Sequence, residues 1–136
     1  MVEKLKNDIN ACLICKDFLP YLPRPIYQFH SNAKIIIIAQ APGQIAHDKG
    51  IPFDDLSGDN LRSWLGVTKE QFYNPELFAI MPMGFCFPGK GKSGDLPPRK
   101  ECAPQWHNKI IAQLDHLELI ILVGKYAQDY YLKDNP

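Results

Sequence analysis

Residues 34–43 read KIIIIAQAPG, a run of four isoleucines that leads directly into a Pro-Gly turn. Isoleucine is β-branched and favours strands, and a run without polar alternation is typical of a strand covered on both faces, as in a parallel sheet. Residues 34–40 are therefore predicted to form a buried strand. The Pro-Gly turn is expected at the carboxyl end of that strand.

Two further apolar runs, residues 76–84 and 117–124, have the same character and are predicted to be buried strands. Apolar residues at helical spacing lie before, between and after the runs, for example around Ile9, Trp64 and Trp106. Alternating strands and helices predict an α/β fold. We expect a three-layer, doubly wound and mainly parallel sheet of three to four strands, flanked by helices.

In such sheets, ligands bind beyond the carboxyl ends of the strands. The functional site is therefore expected around residues 39–43, 82–86 and 124–125. A three-stranded sheet is narrow for this fold class. Residues 1–136 are accordingly predicted to form a single domain that is truncated at its carboxyl end.

Capping residues mark two helix starts. Ser57, Asp59 or Asn60 is expected to cap the helix after the first strand. Thr68, with Gln71 three residues later, has the pattern of a capping box for a second, short helix.

Composition and charge restrict the class of protein. Fifteen Lys and Arg are balanced by fifteen Asp and Glu, so net charge gives no sign of a polyanionic partner, although a local basic face suffices to contact phosphates. The first residues are charged from Glu3 onward, unlike a signal peptide, and the apolar runs are too short to span a bilayer. We expect a soluble, cytoplasmic monomer without a membrane partner.

Four cysteines form two pairs. Cys12 and Cys15 make a C-x2-C motif, whereas Cys86 and Cys102 bracket a loop. Disulfides are rare in the reducing cytosol, so the alternatives are four small buried side chains or a metal site. Four thiolates bind either a tetrahedral zinc ion or an iron–sulfur cluster. Spacing alone favours metal, with zinc ahead of iron–sulfur.

Residues 87–101, between the second cysteine pair, are rich in proline, glycine and lysine. The overlapping stretch GFCFPGKGKSG, residues 84–94, resembles a P-loop in the spacing of Gly84, Gly89 and Lys90. Gly91 nevertheless follows Lys90 where a serine or threonine is needed for magnesium, and no helix pattern follows. The segment is better interpreted as a flexible basic rim. It is either a merely solvated loop or a surface that contacts phosphates.

Three short motifs and the cysteine order together resemble the uracil-DNA glycosylase superfamily, most closely its bacterial and archaeal branch that carries a 4Fe–4S cluster. That branch has a strand ending in Gly-Glu-Ala-Pro-Gly, then Gly-x-Pro-Phe, then a small residue and Gly before a helix. Its four cysteines have the same order and spacing as the four cysteines here. The corresponding residues are 39–43 (AQAPG), 50–53 (GIPF), Ser57-Gly58, and Cys12, Cys15, Cys86 and Cys102.

The resemblance implies a DNA-repair hydrolase that flips uracil out of DNA and cleaves its N-glycosidic bond with water. Phe53 would stack on the base, and the backbone of Gln40, Ala41, Pro42 and Gly43 would contact it and orient water. The resemblance also changes the expected cofactor from zinc to a 4Fe–4S cluster. This cluster would be structural and would hold the loop between the second cysteine pair against DNA.

The chain departs from the family pattern at three places. Gln40 stands where this branch has glutamate, and Ala41 stands where other branches have aspartate. Pro82 aligns with the asparagine that reads uracil. The family's carboxyl-terminal His-Pro-Ser motif would lie beyond Pro136. An amide can orient water, but it cannot accept a proton as a carboxylate does.

Other side chains near the stacking residue are candidates to replace the missing carboxylate. They rank as Asp55, then Asp54, then His47, with Gln40 itself as a water-orienting group. The alternative is that the aspartates only cap and solvate the loop. Two functions follow: a glycosylase, or a non-catalytic, cluster-bearing nucleic-acid-binding module of the same fold. A small-molecule enzyme using the same crevice is a weaker third option.

Overall fold

The computed structural model describes residues 2–132 of the chain. A single-turn 3-10 helix, Lys16–Phe18, follows the first of six α-helices, and there are five short strands. In chain order the elements are α1 (Val2–Asn10), β1 (Ile35–Ile38), α2 (Gln44–Lys49), α3 (Leu56–Leu65), α4 (Lys69–Phe72), β2 (Phe78–Ile80), β3 (Lys90–Gly91), β4 (Gly94–Asp95), α5 (Cys102–Ile111), β5 (Leu119–Leu122) and α6 (Lys125–Leu132).

The main sheet is parallel, with β1 between β2 and β5. Ile35 is in register with Phe78 on one side and with Leu119 on the other. The isoleucine run is thus the central strand, because it supplies hydrogen bonds and apolar surface on both sides. The predicted α/β fold with a doubly wound parallel sheet is confirmed.

Successive isoleucines of β1 point into two separate cores, as the two-residue period of a strand requires. Ile36 and Ile38 pack in a core with α1, α5 and α6, whereas Ile37 packs in the opposite core with Leu61 of α3 and Phe72 of α4. All three isoleucines are fully buried. Helices therefore cover both faces of the sheet.

All three parallel strands are shorter than predicted, including β1, which spans Ile35–Ile38 instead of residues 34–40. β2 ends at Ile80, although the chain beyond it stays hydrogen-bonded to the β1 side. The prediction that β5 is buried is wrong, since Leu119 is 51% and Ile120 40% exposed. Within residues 2–132, β5 pairs only with β1 and is an edge strand.

One of the two predicted helix caps is present in the structure. Thr68 and Gln71 form the predicted capping box, with the Gln71 N–H donating to Thr68 Oγ1 over 3.1 Å. The predicted cap of α3 is wrong. Asp55 caps this helix, because its Oδ1 accepts from the Gly58 N–H over 2.9 Å.

Two elements were not predicted. Helix α2 lies within the loop after β1, and a β3–β4 hairpin lies within the supposedly flexible basic loop. None of the helices among residues 2–132 has the length and apolar character needed to cross a membrane.

His107 of α5 ties this helix to the end of β2. Its side chain is 1% exposed, Nε2 donates to the Pro82 carbonyl over 2.8 Å, and Nδ1 accepts from the Tyr131 hydroxyl over 2.6 Å. A carbonyl oxygen only accepts, so the ring is neutral with its proton on Nε2. Burial lowers the pKa of His107 from 6.5 to about 4.

This lowered pKa predicts acid sensitivity. The unfolded state binds the proton more readily, so the contribution of His107 to the free energy of unfolding is present above about pH 6.5 and is lost as pH falls through 4. We expect a loss of about 3 kcal/mol between pH 7 and pH 4. Urea titrations of H107Q should lose this component, whereas H116Q, at an exposed histidine, should retain it. Equal pH dependence in wild type and H107Q would contradict the assignment.

Candidate functional site

A cavity of about 430 Å³ opens at the carboxyl ends of the three parallel strands. This volume is within the range of about 300–1,000 Å³ for small-molecule sites. The loop after β1 forms one wall, α3 and its preceding turn form another, and the ends of β2 and β5 close the base. The residues contributed are Ala39, Gln40, Ala41, Pro42, Gly43, Ala46, Pro52, Phe53, Asp55, Ser57, Asn60, Leu61, Trp64, Pro82, Asp95, Val123 and Gly124.

The loop after β1 is fixed to the chain after β2. The Met83 N–H donates to Ala39 O over 2.7 Å, and the Gly84 N–H donates to Gln40 O over 3.1 Å. These two bonds join the end of β1 to the chain after β2 at the base of the cavity. Among the described residues, the Gln40 side-chain amide is exposed and has no hydrogen-bond partner.

Phe53 lines the cavity in a conformation that is unusual for a residue with a side chain. Its φ is +60°, and no other described non-glycine residue has a positive φ. Such a residue costs of order 1–3 kcal/mol and persists only when its surroundings hold it. The ring is half-buried and makes an edge contact with Phe72, with centroids 5.9 Å apart.

Two side chains hold the strained turn through its carbonyl groups. Arg62 Nη1 donates to Phe53 O over 3.0 Å, and the Tyr73 hydroxyl donates to Pro52 O over 2.6 Å. Arg62 is 4% exposed and also pairs with Asp59 at 2.7 Å. A buried guanidinium with several acceptors is well suited to fix a backbone, since its donors have a rigid geometry.

Gly58 allows α3 to approach the same turn. A Cβ atom on Gly58 would lie 1.8 Å from Phe53 O and 2.6 Å from the Phe53 carbonyl carbon. No side chain fits there without moving the backbone of Phe53. Glycine in the Ser57-Gly58 motif is therefore required sterically, because it lets α3 approach the backbone of Phe53, whose ring lines the cavity.

The structure brings most predicted site residues together. Residues 40–43, Phe53 and Asp55 line one cavity, but Asp54 and His47 are not among its lining residues. Asp55 Oδ1 accepts from both Ser57 Oγ and the Gly58 N–H, so this oxygen serves as the helix cap. Trp64, one of the apolar residues at helical spacing, is 81% exposed and lines the cavity.

Asp54 and His47 have structural partners outside the cavity. The Asp54 carboxylate lies 3.4 Å from Lys49 Nζ and 3.5 Å from Lys69 Nζ. The hydrogen bond from Lys49, followed by the charges of both lysines, lowers the pKa of Asp54. The His47 ring stacks on Tyr21 with centroids 4.7 Å apart. Neither side chain therefore lines the strand-end cavity.

A second cavity lies under the amino-terminal segment, and all four cysteines line it. The Phe85 N–H donates to Cys102 Sγ over 3.3 Å. Burial raises the pKa of Cys86 to about 11 and of Cys102 to about 12. Buried thiols of this kind stay protonated at neutral pH unless a cation displaces the proton.

The four thiols have the chemistry of a metal site, but they are not arranged closely around a common centre. Within residues 2–132, no three His, Cys, Asp or Glu side chains are placed closely enough to hold a metal ion. Four thiols nevertheless face one cavity from three segments of the chain. Arg99 Nε, at the edge of the same cavity, is buried without a hydrogen-bond acceptor. Four thiols are a donor set common to structural zinc sites and to iron–sulfur clusters.

Sequence reasoning missed Arg62, Tyr73 and Asp95. Arg62 is a charged residue on an amphipathic helix, and nothing in the local pattern shows that it is buried. Asp95 follows a lysine-rich stretch, and only the hairpin brings it to the cavity. The signal for Tyr73 is equally weak, because its partner Pro52 is far away in sequence.

One comparison with known proteins bears on this geometry. Residues 26–135 match the family model described as the uracil DNA glycosylase superfamily. The match contains the whole strand-end cavity, together with Cys86 and Cys102. Cys12 and Cys15 lie before the matched residues.

Proposed function

The chain belongs to the uracil DNA glycosylase superfamily, and we propose that it hydrolyses the N-glycosidic bond of uracil in DNA. The uracil would leave the base stack and enter the strand-end cavity. There it would lie against Phe53 and next to the backbone of residues 40–43. Water would then cleave the bond between the base and the sugar.

One observation carries this proposal. An aromatic ring is held in a strained conformation beside the strand-end loop, inside a cavity of the size of a small ligand. Strain of this kind is a cost to folding, and Arg62, Tyr73 and Gly58 all act to maintain it. A rigid π-face in a cavity is suited to a flat base that has been removed from its stack.

A glycosylase assay tests the proposal. Single- and double-stranded oligonucleotides that contain one uracil are incubated with the protein, and abasic sites are revealed by alkaline strand cleavage. We expect cleavage at the uracil and none in a matched oligonucleotide with thymine at that position. Absence of abasic product from both uracil substrates, with protein purified under anaerobic conditions, would overturn the enzymatic proposal.

Replacing Phe53 tests the stacking role separately. Base–aromatic stacking contributes about 1–3 kcal/mol, so F53L, which keeps apolar bulk without a π-face, should lower kcat/KM by roughly 5- to 150-fold. F53Y, which keeps the ring, should remain close to wild type. Melting temperatures of both variants control for folding. Equal kcat/KM in F53L and wild type would remove Phe53 from the substrate site.

The second candidate is a nucleic-acid-binding module without turnover. Gln40 and Ala41 occupy the strand-end positions where a carboxylate is expected, which favours this alternative. It predicts DNA binding that weakens with salt, because phosphate contacts release counterions, and no abasic product. The uracil assay and a salt titration of DNA binding on the same preparation separate the two functions.

We also propose that Cys12, Cys15, Cys86 and Cys102 hold a 4Fe–4S cluster, with a structural zinc ion as the alternative. The common cavity, the N–H donor to Cys102 and the unpartnered Arg99 Nε support the cluster. Structural zinc is bound by the same four-thiolate donor set, with sulfur atoms about 2.3 Å from the ion, so the metal content of the purified protein separates the two groups. The cluster would supply cross-links between distant segments, and no chemical step is assigned to it.

A further inference from the structure

We infer that Asp95 is the carboxylate that accepts a proton from the attacking water. This inference rests on the proposed glycosylase function and assigns to it a residue outside the family motifs described above. A carboxylate other than the motif residue is needed because Gln40 cannot accept a proton. A general base typically raises the rate of such a reaction by about 10²- to 10⁴-fold. Any replacement must lie in the same cavity and must be free to act.

Asp95 meets the requirement of position. It ends the β3–β4 hairpin and lines the strand-end cavity together with residues 40–43 and Phe53. A Cβ atom placed on Gly43 would lie 3.5 Å from Asp95 Oδ2. The carboxylate is therefore adjacent to the backbone of the loop that is proposed to orient water. The absence of a side chain on Gly43 keeps the space between them open.

The hairpin that carries Asp95 is held in place. The Leu96 N–H donates to Gly89 O over 2.8 Å, and Gly91 pairs with Gly94 across the turn. Beyond the hairpin, Pro98 packs on Gly84, where an added Cβ would be 3.1 Å from the proline ring. Gly84 in turn donates to Gln40 O, so the hairpin and the strand-end loop are joined through one residue.

Asp95 also meets the requirement of availability. Within residues 2–132, its carboxylate has no hydrogen-bond donor and no ion pair. The other carboxylate of the cavity, Asp55, is committed through Oδ1 to the cap of α3. Lys90 is the cross-strand partner of Asp95, and such partners project from the same face of a hairpin.

The proposed hydrolysis exchanges one bond at C1′ and transfers one proton from water. The water oxygen forms a bond to C1′ of the deoxyribose while the bond from C1′ to the base nitrogen breaks, and the electron pair of that bond leaves with the base. One proton of the water passes to the Asp95 carboxylate. The base anion takes up a proton from solvent, and Asp95 later returns its own to solvent. The products are the free base and an abasic sugar with a hydroxyl at C1′.

The experiment compares wild type, D95N and D95A in single-turnover cleavage of a uracil-containing single strand. The control is D115N, at an exposed aspartate in the turn before β5, at the opposite end of the sheet. We expect D95N to be slower by on the order of 100-fold or more, with an oligonucleotide Kd within about twofold of wild type. The rate of D95N should also lack the fall at acidic pH that protonation of a carboxylate causes. Sodium formate should partly restore D95A, because it returns a carboxylate to the site.

The outcomes separate this inference from the proposed function. If wild type cleaves uracil-DNA and D95N cleaves it equally fast, the inference is overturned and the glycosylase function remains. The inference would also be overturned if D95N lost rate with an unchanged pH profile and formate did not rescue D95A. A variant that cleaved a different base at an unchanged rate would overturn it as well. If wild type itself produces no abasic site, the proposed function fails and the inference fails with it.

Discussion

The G58A substitution should destabilise the protein by about 3 kcal/mol and abolish detectable base excision. Replacing glycine with alanine inside a helix normally stabilises it by about 1 kcal/mol, because the unfolded chain loses freedom and the helix gains a better former. Gly58 should show the opposite sign. Its Cβ would lie 1.8 Å from Phe53 O, an atom of the backbone that cannot rotate away.

The expected magnitude follows from what must move. Inserting a methyl group into a packed site costs about 1–3 kcal/mol. Here the displaced carbonyl is also the acceptor for buried Arg62, so its movement leaves a guanidinium N–H without its partner. Because the same shift changes the backbone of Phe53, the ring loses its place in the cavity. Stability and activity should therefore fall together.

Urea unfolding and single-turnover excision measure the two effects. S63A is the matched control: Ser63 is exposed on the same helix, and its replacement should leave both quantities close to wild type. A stabilised G58A protein with normal excision would show that α3 does not press on the turn at Phe53. The steric explanation of the Ser57-Gly58 motif would then be wrong.

The sheet was predictable because its signal is local. Four consecutive isoleucines cannot alternate between core and solvent, so the sequence itself requires cover on both faces, and Ile36 to Ile38 are fully buried as expected. The exposure of β5 was not predictable in the same way. LELIILVG has the composition of a central strand, and only the pairing order shows that it lies at an edge.

The cavity was predictable in part for the same reason. The strand-end rule and the Pro-Gly turn indicated the position of residues 40–43, and the aromatic residue followed from its motif. Asp55 was correctly placed in the cavity, but its capping role depends on which of several polar residues meets the first helical N–H groups. The position of Asp95 in the cavity depends on a hairpin whose register no local pattern specifies. The burial of Arg62 depends on tertiary contacts with Phe53 and Tyr73.

With Cys102 as a ligand of the proposed 4Fe–4S cluster, C102S should lose the cluster and loosen the whole segment between Cys86 and Cys102. We expect wild type, purified anaerobically, to be brown with about four irons per chain, and C102S to be colourless. In the chain-entropy treatment of cross-links, closing a loop of about 15 residues contributes about 3 kcal/mol. The free energy of unfolding should fall by at least this amount, because loss of the cluster also removes the link to Cys12 and Cys15.

Cleavage by trypsin measures how far this segment has loosened. Lys90, Lys92, Arg99 and Lys100 lie in the segment, and all are sites for trypsin. Cleavage there should be at least tenfold faster in C102S than in wild type, because its opening is opposed by fewer cross-links. Excision should fall as well, since Asp95 lies on the same segment and reaches the cavity only while the hairpin is held.

Apoprotein provides the control that separates the cluster from the side chain itself. After iron is removed by chelation, wild type and C102S should be cut by trypsin at equal rates, because both then lack the cross-link. A C102S protein that retains iron would exclude Cys102 as a ligand. Wild type with one zinc and no iron would replace the cluster by the zinc alternative. If apo wild type resists trypsin as well as the iron-loaded form, the segment between the two cysteines is held by Pro98, Gly84 and the hairpin alone, and the cluster has no part in positioning Asp95.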